Sequence, residues 1–155
     1  EIQQKFLQSQ QHSHATLLFA MLDVDYFKNY NDHYGHLKGD EILQNLVKVI
    51  QASLPQSGYL ARYGGEEFAI LLGDIPIPVA LQYLERVIQQ IREQQFEHLN
   101  RPDGKAWITV SVGAAWISPQ HQYADIHALM KAADVQLYLA KHTGRDQLNF
   151  EQGAD

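Results

Sequence analysis

Continuous apolar runs alternate along the chain with helical apolar stripes, and this alternation predicts the order of the secondary structure. The run TLLFAMLDVD, residues 16–25, is almost free of polar residues until its acidic end, which is typical of a central strand buried on both faces. From Lys38 onward, a stripe with spacings of three and four predicts a helix; its members are Ile42, Leu43, Leu46, Val47 and Ile50. Between them, YFKNYNDHYGH predicts a short polar helix or turn that ends at Gly35.

A hairpin follows in the middle of the chain. The segments YLARY, residues 59–63, and EEFAILL, residues 66–72, have the composition of strands. They flank Gly64-Gly65, a dipeptide typical of a two-residue hairpin turn.

The remaining segments predict two more long helices and a strand. One apolar stripe predicts a helix that ends near Phe96, and its members are Leu84, Val87, Ile88 and Ile91. Residues 105–117, KAWITVSVGAAWI, predict a strand. A last helix precedes Gly144, and a short edge strand follows it. The spacing of Ile2, Phe6 and Leu7 within residues 1–15 predicts a short leading helix, which we expect to be largely solvated.

This order of elements predicts an α+β fold with a mixed central β-sheet flanked by helices. A hairpin combined with crossover helices favours a ferredoxin-like plan with the helices on one side of the sheet. The 155 residues, 45% hydrophobic and 19% charged, suffice for one domain over residues 1–155 with its own core.

Composition excludes several classes of protein. A net charge of −6 argues against binding nucleic acid through its phosphates. The chain has no cysteine, so it forms neither disulfides nor thiolate zinc sites, which is compatible with the cytoplasm. No apolar run is long enough to span a membrane, so no membrane contact is expected. Because the first residue is Glu1 rather than Met, we expect a piece of a longer protein.

Acidic residues mark two places in the predicted sheet. Asp23 lies at the end of the first strand, and Glu66 and Glu67 follow the hairpin turn. If these strands are neighbours, the carboxylates form an oxygen cage for Mg²⁺ or Mn²⁺. Strand alternation places Glu66 and Glu67 on opposite faces unless the glycine turn distorts the strand. Two acids near a turn are, taken alone, more often ordinary solvated surface.

Other polar residues add candidates for a phosphate or base site, each with an ordinary alternative. Lys28 offers a cation for phosphate and Asn31 an amide for a base edge. Asp40 is suited to the ring N–H and amino group of guanine, or simply to a helix N-terminus. Lys141 and Arg145 lie four residues apart, at the end of the last helix, where basic residues are common.

Histidines and aromatic residues receive simpler interpretations. The pairs His12 with His14 and His33 with His36 lack a carboxylate at ligand spacing, so solvated or structural histidines are favoured over a zinc site. Large aromatic residues are expected in the core; they are Trp107, Trp116 and Tyr138.

Four segments together resemble a known family. LDVDYFKNYNDHYGHLKGDEIL, ARYGGEEFAILL, ITVSVGAA and ADVQLYLAKHTGRD are similar, in order and spacing, to the motifs of the GGDEF family of diguanylate cyclases, here in the GGEEF form. The resemblance runs from about Leu17 to Asp146. It implies a fold like the palm of nucleotidyl cyclases and polymerases, and the condensation of two GTP into cyclic di-GMP.

The resemblance also implies roles for individual residues. Asp23, the carbonyl of Val24 and Glu66 would hold one or two Mg²⁺ (or Mn²⁺) ions, two per active site being expected. Glu67 would assist the metal site or deprotonate the ribose 3′-hydroxyl, and the choice of base between Glu66 and Glu67 stays open. The remaining implied contacts are with the nucleotide: Asn31 and Asp40 read guanine, His36 lines the pocket, Lys28, Lys141 and Arg145 neutralise the triphosphate, Phe27 packs nearby, and Gly64 and Gly65 let the backbone approach phosphate.

The family mechanism implies a homodimer, because each domain activates only one GTP. Relatives often carry an N-terminal sensor or receiver domain, and the full-length protein could be membrane-anchored with this domain on the cytoplasmic side. Where many relatives have a product-binding RxxD motif, this chain has Pro55 and Gly58, so no product inhibition is expected. The family's DxLTGLxNRR lead-in is absent, and GRD replaces GRN. The alternative is a catalytically inactive GTP-binding or cyclic di-GMP signalling module.

Overall fold

A five-stranded mixed sheet organises the computed structural model, which describes residues 2–11 and 16–151. The elements in chain order are α1 (Ile2–Gln11), β1 (Leu17–Val24), α2 (Phe27–Tyr34), α3 (His36–Ser53), β2 (Tyr59–Gly64), β3 (Glu67–Gly73), α4 (Ile77–Gln94), β4 (Val110–Ile117), α5 (Ile126–His142) and β5 (Leu148–Phe150). This is the order predicted from the sequence, including the leading helix and the final edge strand. The leading helix is not merely solvated, because its Phe6 is buried in a core. His12 and His14 lie outside the described residues.

β1 is the central strand, as its continuous apolar run predicts. The strands lie in the order β2-β3-β1-β4-β5, and all eight residues of β1 are buried. β1 pairs antiparallel with β3 and with β4, whereas β5 runs parallel to β4. The sheet is therefore mixed, and the end of β1 that carries Asp23 lies between the beginnings of β3 and β4.

Helices cover both faces of the sheet, so the expectation of helices on one side is wrong. One apolar core joins alternate residues of β1, such as Leu18 and Leu22, to α2, α3 and α4. A second core joins the intervening residues, such as Phe19, to α1 and α5 through Phe6 and Leu129. Because side chains alternate along a strand, Asp23 lies on the α5 side.

The predicted hairpin is present, but its turn is one residue later than expected. Gly64 pairs with Glu67, so the two turn residues are Gly65 and Glu66, and the ladder is irregular between Arg62 and Gly64. Neither glycine has a φ in the left-handed region. Because Glu66 belongs to the turn and β3 begins at Glu67, strict strand alternation does not apply to Glu66.

Two parts of the chain differ from their sequence-based descriptions. β4 begins at Val110, so residues 105–109 lie outside the strand, although Trp107 forms a single bridge with Glu97. Trp107 and Tyr138 are 41% and 61% exposed, so they do not fill the core; Trp116 packs against it from a half-buried position.

In the described residues, none of the helices has the length and apolar character needed to cross a bilayer.

Candidate active site

Three carboxylates and a lysine converge where β1 ends. Asp23 on β1 is directly opposite Glu67 on β3, and the carbonyl of Glu66 accepts a hydrogen bond from the backbone N–H of Val24 at 3.3 Å. Lys141 reaches down from α5, and its Nζ lies 2.7 Å from Oδ2 of Asp23. The structure thus brings together residues that are more than 100 positions apart in sequence.

Burial makes the charge of this cluster costly. The side chain of Asp23 is only 5% exposed, and this burial raises the pKa of Asp23 from 3.8 to about 7. The hydrogen bond and charge of Lys141 oppose that rise in pKa, whereas the Glu66 and Glu67 carboxylates add to it. One ammonium group faces three carboxylates, so the cluster is short of positive charge.

The donor set fits a hard divalent cation. Carboxylate and carbonyl oxygens are the ligands that Mg²⁺ and Mn²⁺ prefer, and the excess of negative charge around Asp23 favours such an ion. Within the described ranges, no three His, Cys, Asp or Glu side chains already form a cluster able to hold a metal. An ion here therefore requires further oxygen ligands, such as the carbonyl of Val24 and phosphate oxygens, as is usual for Mg²⁺.

Arg62 stabilises the GGEE turn rather than pairing with a carboxylate. Its Nε and Nη2 donate hydrogen bonds to the carbonyl of Gly65, at 3.0 and 2.7 Å. A Cβ placed on Gly64 or Gly65 would meet no protein atom within 4 Å. Since neither packing nor a positive φ requires glycine here, the open space in front of the turn is available to a ligand.

Asn31 and Phe27 lie together on α2, packed against α3. The Oδ1 atom of Asn31 is buried without a hydrogen-bond partner in the structure, and a Cβ on Gly39 of α3 would come within 1.9 Å of it. Phe27 is buried beside the same glycine. A buried acceptor without a partner is costly, which makes Asn31 a candidate for ligand contact.

Asp40, the next residue of α3 after Gly39, lies at a cavity of about 420 Å³ between α3 and the hairpin. Arg62 and Phe68 from the hairpin and Leu43 from α3 also line the cavity. An exposed carboxylate above an apolar floor is suited to a flat polar ring such as a nucleobase.

The other predicted site residues are more dispersed. Lys28 on α2 and His36 at the start of α3 are exposed. α5 ends at His142, so Arg145 lies beyond the helix rather than on its face. The guanidinium of Arg145 packs over the ring of Tyr26, 4.2 Å from its centroid.

Comparison with known proteins decides the family. A family model described as "Diguanylate cyclase, GGDEF domain" matches residues 1–147. The chain belongs to the GGDEF domain family of diguanylate cyclases.

Curated relatives agree with this assignment. The GGDEF domain is 33% identical over 138 residues to Diguanylate cyclase A of Treponema denticola, an alignment that covers 88% of the chain and 36% of that protein. It is 36% identical over 132 residues to Diguanylate cyclase DgcP of Pseudomonas aeruginosa, covering 85% of the chain and 19% of that protein. The chain therefore spans only a minor part of these relatives.

Solved structures share the fold. The active GGEEF domain of a diguanylate cyclase from Vibrio cholerae superposes with a TM-score of 0.82 at 28% identity, covering 99% of this GGDEF domain and 93% of that chain. The coiled coil and GGDEF domain of DgcB from Caulobacter crescentus, in complex with c-di-GMP, superposes with a TM-score of 0.83 at 28% identity. The match covers 97% of this GGDEF domain and 76% of that chain. The fold class predicted from the sequence is confirmed.

Sequence reasoning missed a buried carboxylate of this GGDEF domain beside the acidic cluster. Asp25 is 1% exposed and accepts hydrogen bonds from the hydroxyls of Thr109 and Ser111, each at 2.6 Å. A signal was present, because Thr109 and Ser111 are two hydroxyls spaced by two within an apolar run. Alternating hydroxyls in a buried strand indicate a polar partner on that face.

Proposed function

We propose that this GGDEF domain is the catalytic domain of a diguanylate cyclase, which condenses two GTP into cyclic di-GMP and two pyrophosphates. The observation that carries the proposal is the cluster of Asp23, Glu66 and Glu67 with Lys141 at the end of β1. Its charge deficit fits a metal-bound triphosphate, and named diguanylate cyclases are 33–36% identical over most of the chain.

Asp23, the carbonyl of Val24, and Glu66 would hold the metal, with Glu67 beside them. We expect Mg²⁺ or Mn²⁺, two ions per site. When bound, such ions would neutralise phosphate oxygens and the charge that develops during transfer. Lys141 and Arg145 would bind the triphosphate from the α5 side, and Lys28 from α2. Gly64 and Gly65, with open space before them, would let the backbone approach the phosphates.

The nucleobase would lie near α2 and α3. The carboxylate of Asp40, at the rim of its cavity, can accept hydrogen bonds from the ring N–H and the amino group of guanine, which adenine cannot offer together. Asn31 would read a second edge of the base, His36 would line the pocket and Phe27 would support it. GTP is therefore the expected substrate.

In the reaction, a carboxylate takes the proton of the 3′-hydroxyl of one GTP. The 3′-oxygen then forms a bond to the α-phosphorus of the second GTP, and the bond from that phosphorus to pyrophosphate breaks. Glu66 and Glu67 are both candidates for this base. Two copies of the domain must face each other, since each holds one GTP and the product needs the step twice. Without an RxxD motif at Pro55 and Gly58, product would not inhibit the reaction.

The test is chromatography of the products formed by the purified domain from GTP and Mg²⁺. Cyclic di-GMP is expected, and Glu66→Gln and Glu67→Gln should each lower turnover by roughly 100-fold or more. The variant that keeps metal-dependent GTP binding while losing turnover identifies the base. Glu85→Gln, at an exposed position of α4, is the matched control.

Other outcomes separate the alternatives. Thermal stabilisation by GTP and Mg²⁺ without product would support a catalytically inactive regulatory module.

Base recognition is tested by comparing GTP with ATP as ligands. Asp40→Ala should erase most of the preference for GTP over ATP, and an unchanged preference would show that Asp40 does not recognise the base. In the full-length protein we expect an upstream sensor or receiver domain and a cytoplasmic location for this domain.

A further inference from the structure

Two guanidinium groups contact the ring of Tyr26. The Cζ atom of Arg145 is 4.2 Å from the centroid of its ring, and the Cζ atom of Arg101 is 5.2 Å from it. A guanidinium within about 6 Å of an aromatic ring centroid is attracted to the ring electrostatically. The ring therefore links Arg145, at the active site, to Arg101, which no motif of the family led us to expect.

Arg101 is fixed in place. Its side chain is 0% exposed and forms an ion pair with Asp103 at 2.8 Å. It also donates to the carbonyl of Trp107 at 2.9 Å and to the hydroxyl of Thr109 at 2.7 Å. Because all of its guanidinium nitrogens form hydrogen bonds, Arg101 holds a fixed position next to the ring of Tyr26.

Asp25 connects Arg101 to the backbone beside Arg145 through hydrogen bonds. Thr109, which accepts from Arg101, donates its own proton to Oδ2 of Asp25 at 2.6 Å. The same Oδ2 accepts the backbone N–H of Asp146 at 3.1 Å. A chain of hydrogen bonds thus runs from Arg101 to the backbone next to Arg145.

The backbone at Arg145 has a conformation that other contacts must maintain. Arg145 and Asp146 both have left-handed φ values, 60° and 50°, a conformation that is strained for residues other than glycine. The Asp25 hydrogen bond and the ion pair of Asp146 with Arg92 at 3.0 Å hold this turn. Left-handed non-glycine residues are concentrated at functional sites.

We propose that Asp25 and Tyr26 are positioning residues that hold the Arg145 guanidinium ready for the triphosphate. The role of Arg145 itself rests on the proposed function. Ordering a free arginine side chain costs conformational entropy, and a guanidinium already held against Tyr26 avoids part of that cost when phosphate binds.

The experiment uses two readouts on the whole domain. In the absence of nucleotide, NMR should show the Arg145 Nε–H shifted by the ring of Tyr26, and this shift should be lost in Tyr26→Leu and kept in Tyr26→Phe. In the cyclase assay, Tyr26→Leu should raise the KM for GTP roughly three- to tenfold with a smaller change in kcat. Tyr26→Phe should remain within about twofold of the wild type.

Two comparisons make the assignment specific. In the Arg145→Ala background, Tyr26→Leu should have no further effect on KM, because the two residues act through one contact. Tyr83→Leu, which removes a half-buried ring from α4, should leave KM and the Arg145 resonance unchanged.

Independent, multiplicative effects of Tyr26→Leu and Arg145→Ala would overturn the proposal, as would an unchanged Arg145 Nε–H resonance in Tyr26→Leu. An unfolded Tyr26→Leu variant would also overturn it, by showing that the ring supports the fold instead. Failure of the proposed cyclase function can be told apart from failure of the positioning proposal. If the function is wrong, the wild-type domain makes no cyclic di-GMP, but the nucleotide-free NMR comparison still tests whether Tyr26 positions Arg145.

Discussion

Gly39 leaves room for a side chain that we expect to contact the base. A Cβ at this position would lie 1.9 Å from Oδ1 of Asn31 and 3.2 Å from Cζ of Phe27. Helix propensity alone favours alanine over glycine by about 1 kcal/mol. The two effects oppose each other, and a contact of 1.9 Å cannot be relieved without moving the Asn31 amide.

We predict that Gly39→Ala weakens GTP binding roughly tenfold, because the Asn31 amide is displaced from the position in which it reads the base. The measurement is calorimetric titration with GTP in the presence of Ca²⁺ instead of Mg²⁺, to slow turnover. In an Asn31→Ala background the same substitution should be nearly neutral for binding. A tenfold loss that persists there would show that Gly39 acts through something other than Asn31.

Asp103 gives the stability of the domain a dependence on acid pH. The hydrogen bonds from Arg101 hold the pKa of Asp103 at about 2, below its ordinary 3.8. Because its pKa falls on folding, the unfolded chain binds more protons in this window. The stabilisation is therefore present above about pH 4 and is lost as the pH falls through about 2.

Asp103→Asn should lower the free energy of unfolding at neutral pH by about 1 kcal/mol, since the buried Arg101 loses its anionic partner while the site is partly open to solvent. The difference from the wild type should shrink between about pH 4 and about pH 2. Urea unfolding across this range measures it, with Asp134→Asn on an exposed face of α5 as control. A difference that is constant with pH would contradict the linkage.

At this scale the sequence indicated the acids but not their surroundings. Asp23, Glu66 and Glu67 were singled out because they lie at the ends of strands that could be neighbours, and their roles followed from the resemblance to the GGDEF motifs and not from the acids alone. The contact of Asp23 with Lys141 and the hydrogen bonds of Asp25 depend on which elements become neighbours. Such pairings join residues from opposite ends of the chain, and local patterns carry no information about them.

Among the elements, α5 lies unusually close to the sheet. A Cβ at Gly113 on β4 would come within 2.0 Å of the backbone nitrogen of Leu137 and 2.4 Å of the carbonyl oxygen of Ala133. These are backbone atoms of α5, so no side-chain rotation can relieve the contact. The close approach also sets how far Lys141, one turn further along α5, can reach towards Asp23.

Gly113→Ala should therefore destabilise the domain by about 3 kcal/mol or more, the upper range for an overfilled core. Chemical unfolding of the purified variant measures this loss. Gly73→Ala is the matched control, because a Cβ there meets its nearest atom, Cδ1 of Leu17, at an ordinary 3.7 Å. Equal stability of the two variants would mean that α5 can move away from the sheet at little cost.

The elements themselves were predictable, and their placement was only partly so. Apolar periodicity identified the long helices in order, because burial imposes a period of 3.6 on a helix. The hairpin followed from strand composition and its glycine pair, and α2 was predicted only as a polar helix or turn. The uninterrupted run of β1 already predicted burial on both faces, which a sheet with helices on one side cannot provide. The one-sided plan followed a general fold type, whereas the local pattern of β1 was the better guide.

For the whole molecule, we propose that the sheet order assembles one half of a two-fold reaction centre. Placing β1 between β3 and β4 brings Asp23, Glu67 and Lys141 together, and we expect this single set to hold one GTP. A product with two identical linkages then requires a second copy related by two-fold symmetry. Activity should depend on how often two domains meet.

We therefore predict that cyclic di-GMP formation per domain rises with domain concentration. A parallel coiled coil fused ahead of α1 should remove this dependence, because a short linker gives the two domains an effective concentration on the order of millimolar. At micromolar protein the fused domain should then be roughly 100-fold faster or more if the free domains associate weakly. The measurement is initial rate by chromatography over a wide range of domain concentrations.

Mixing experiments make this prediction specific. The same fusion carrying Glu67→Gln should be slower by roughly 100-fold or more. Heterodimers of one intact and one Glu67→Gln domain should make mainly the linear, singly joined dinucleotide, since one of the two linkages lacks its carboxylate. A rate per domain that stays constant down to the lowest concentration, together with cyclic product from such heterodimers, would show that one domain completes both steps.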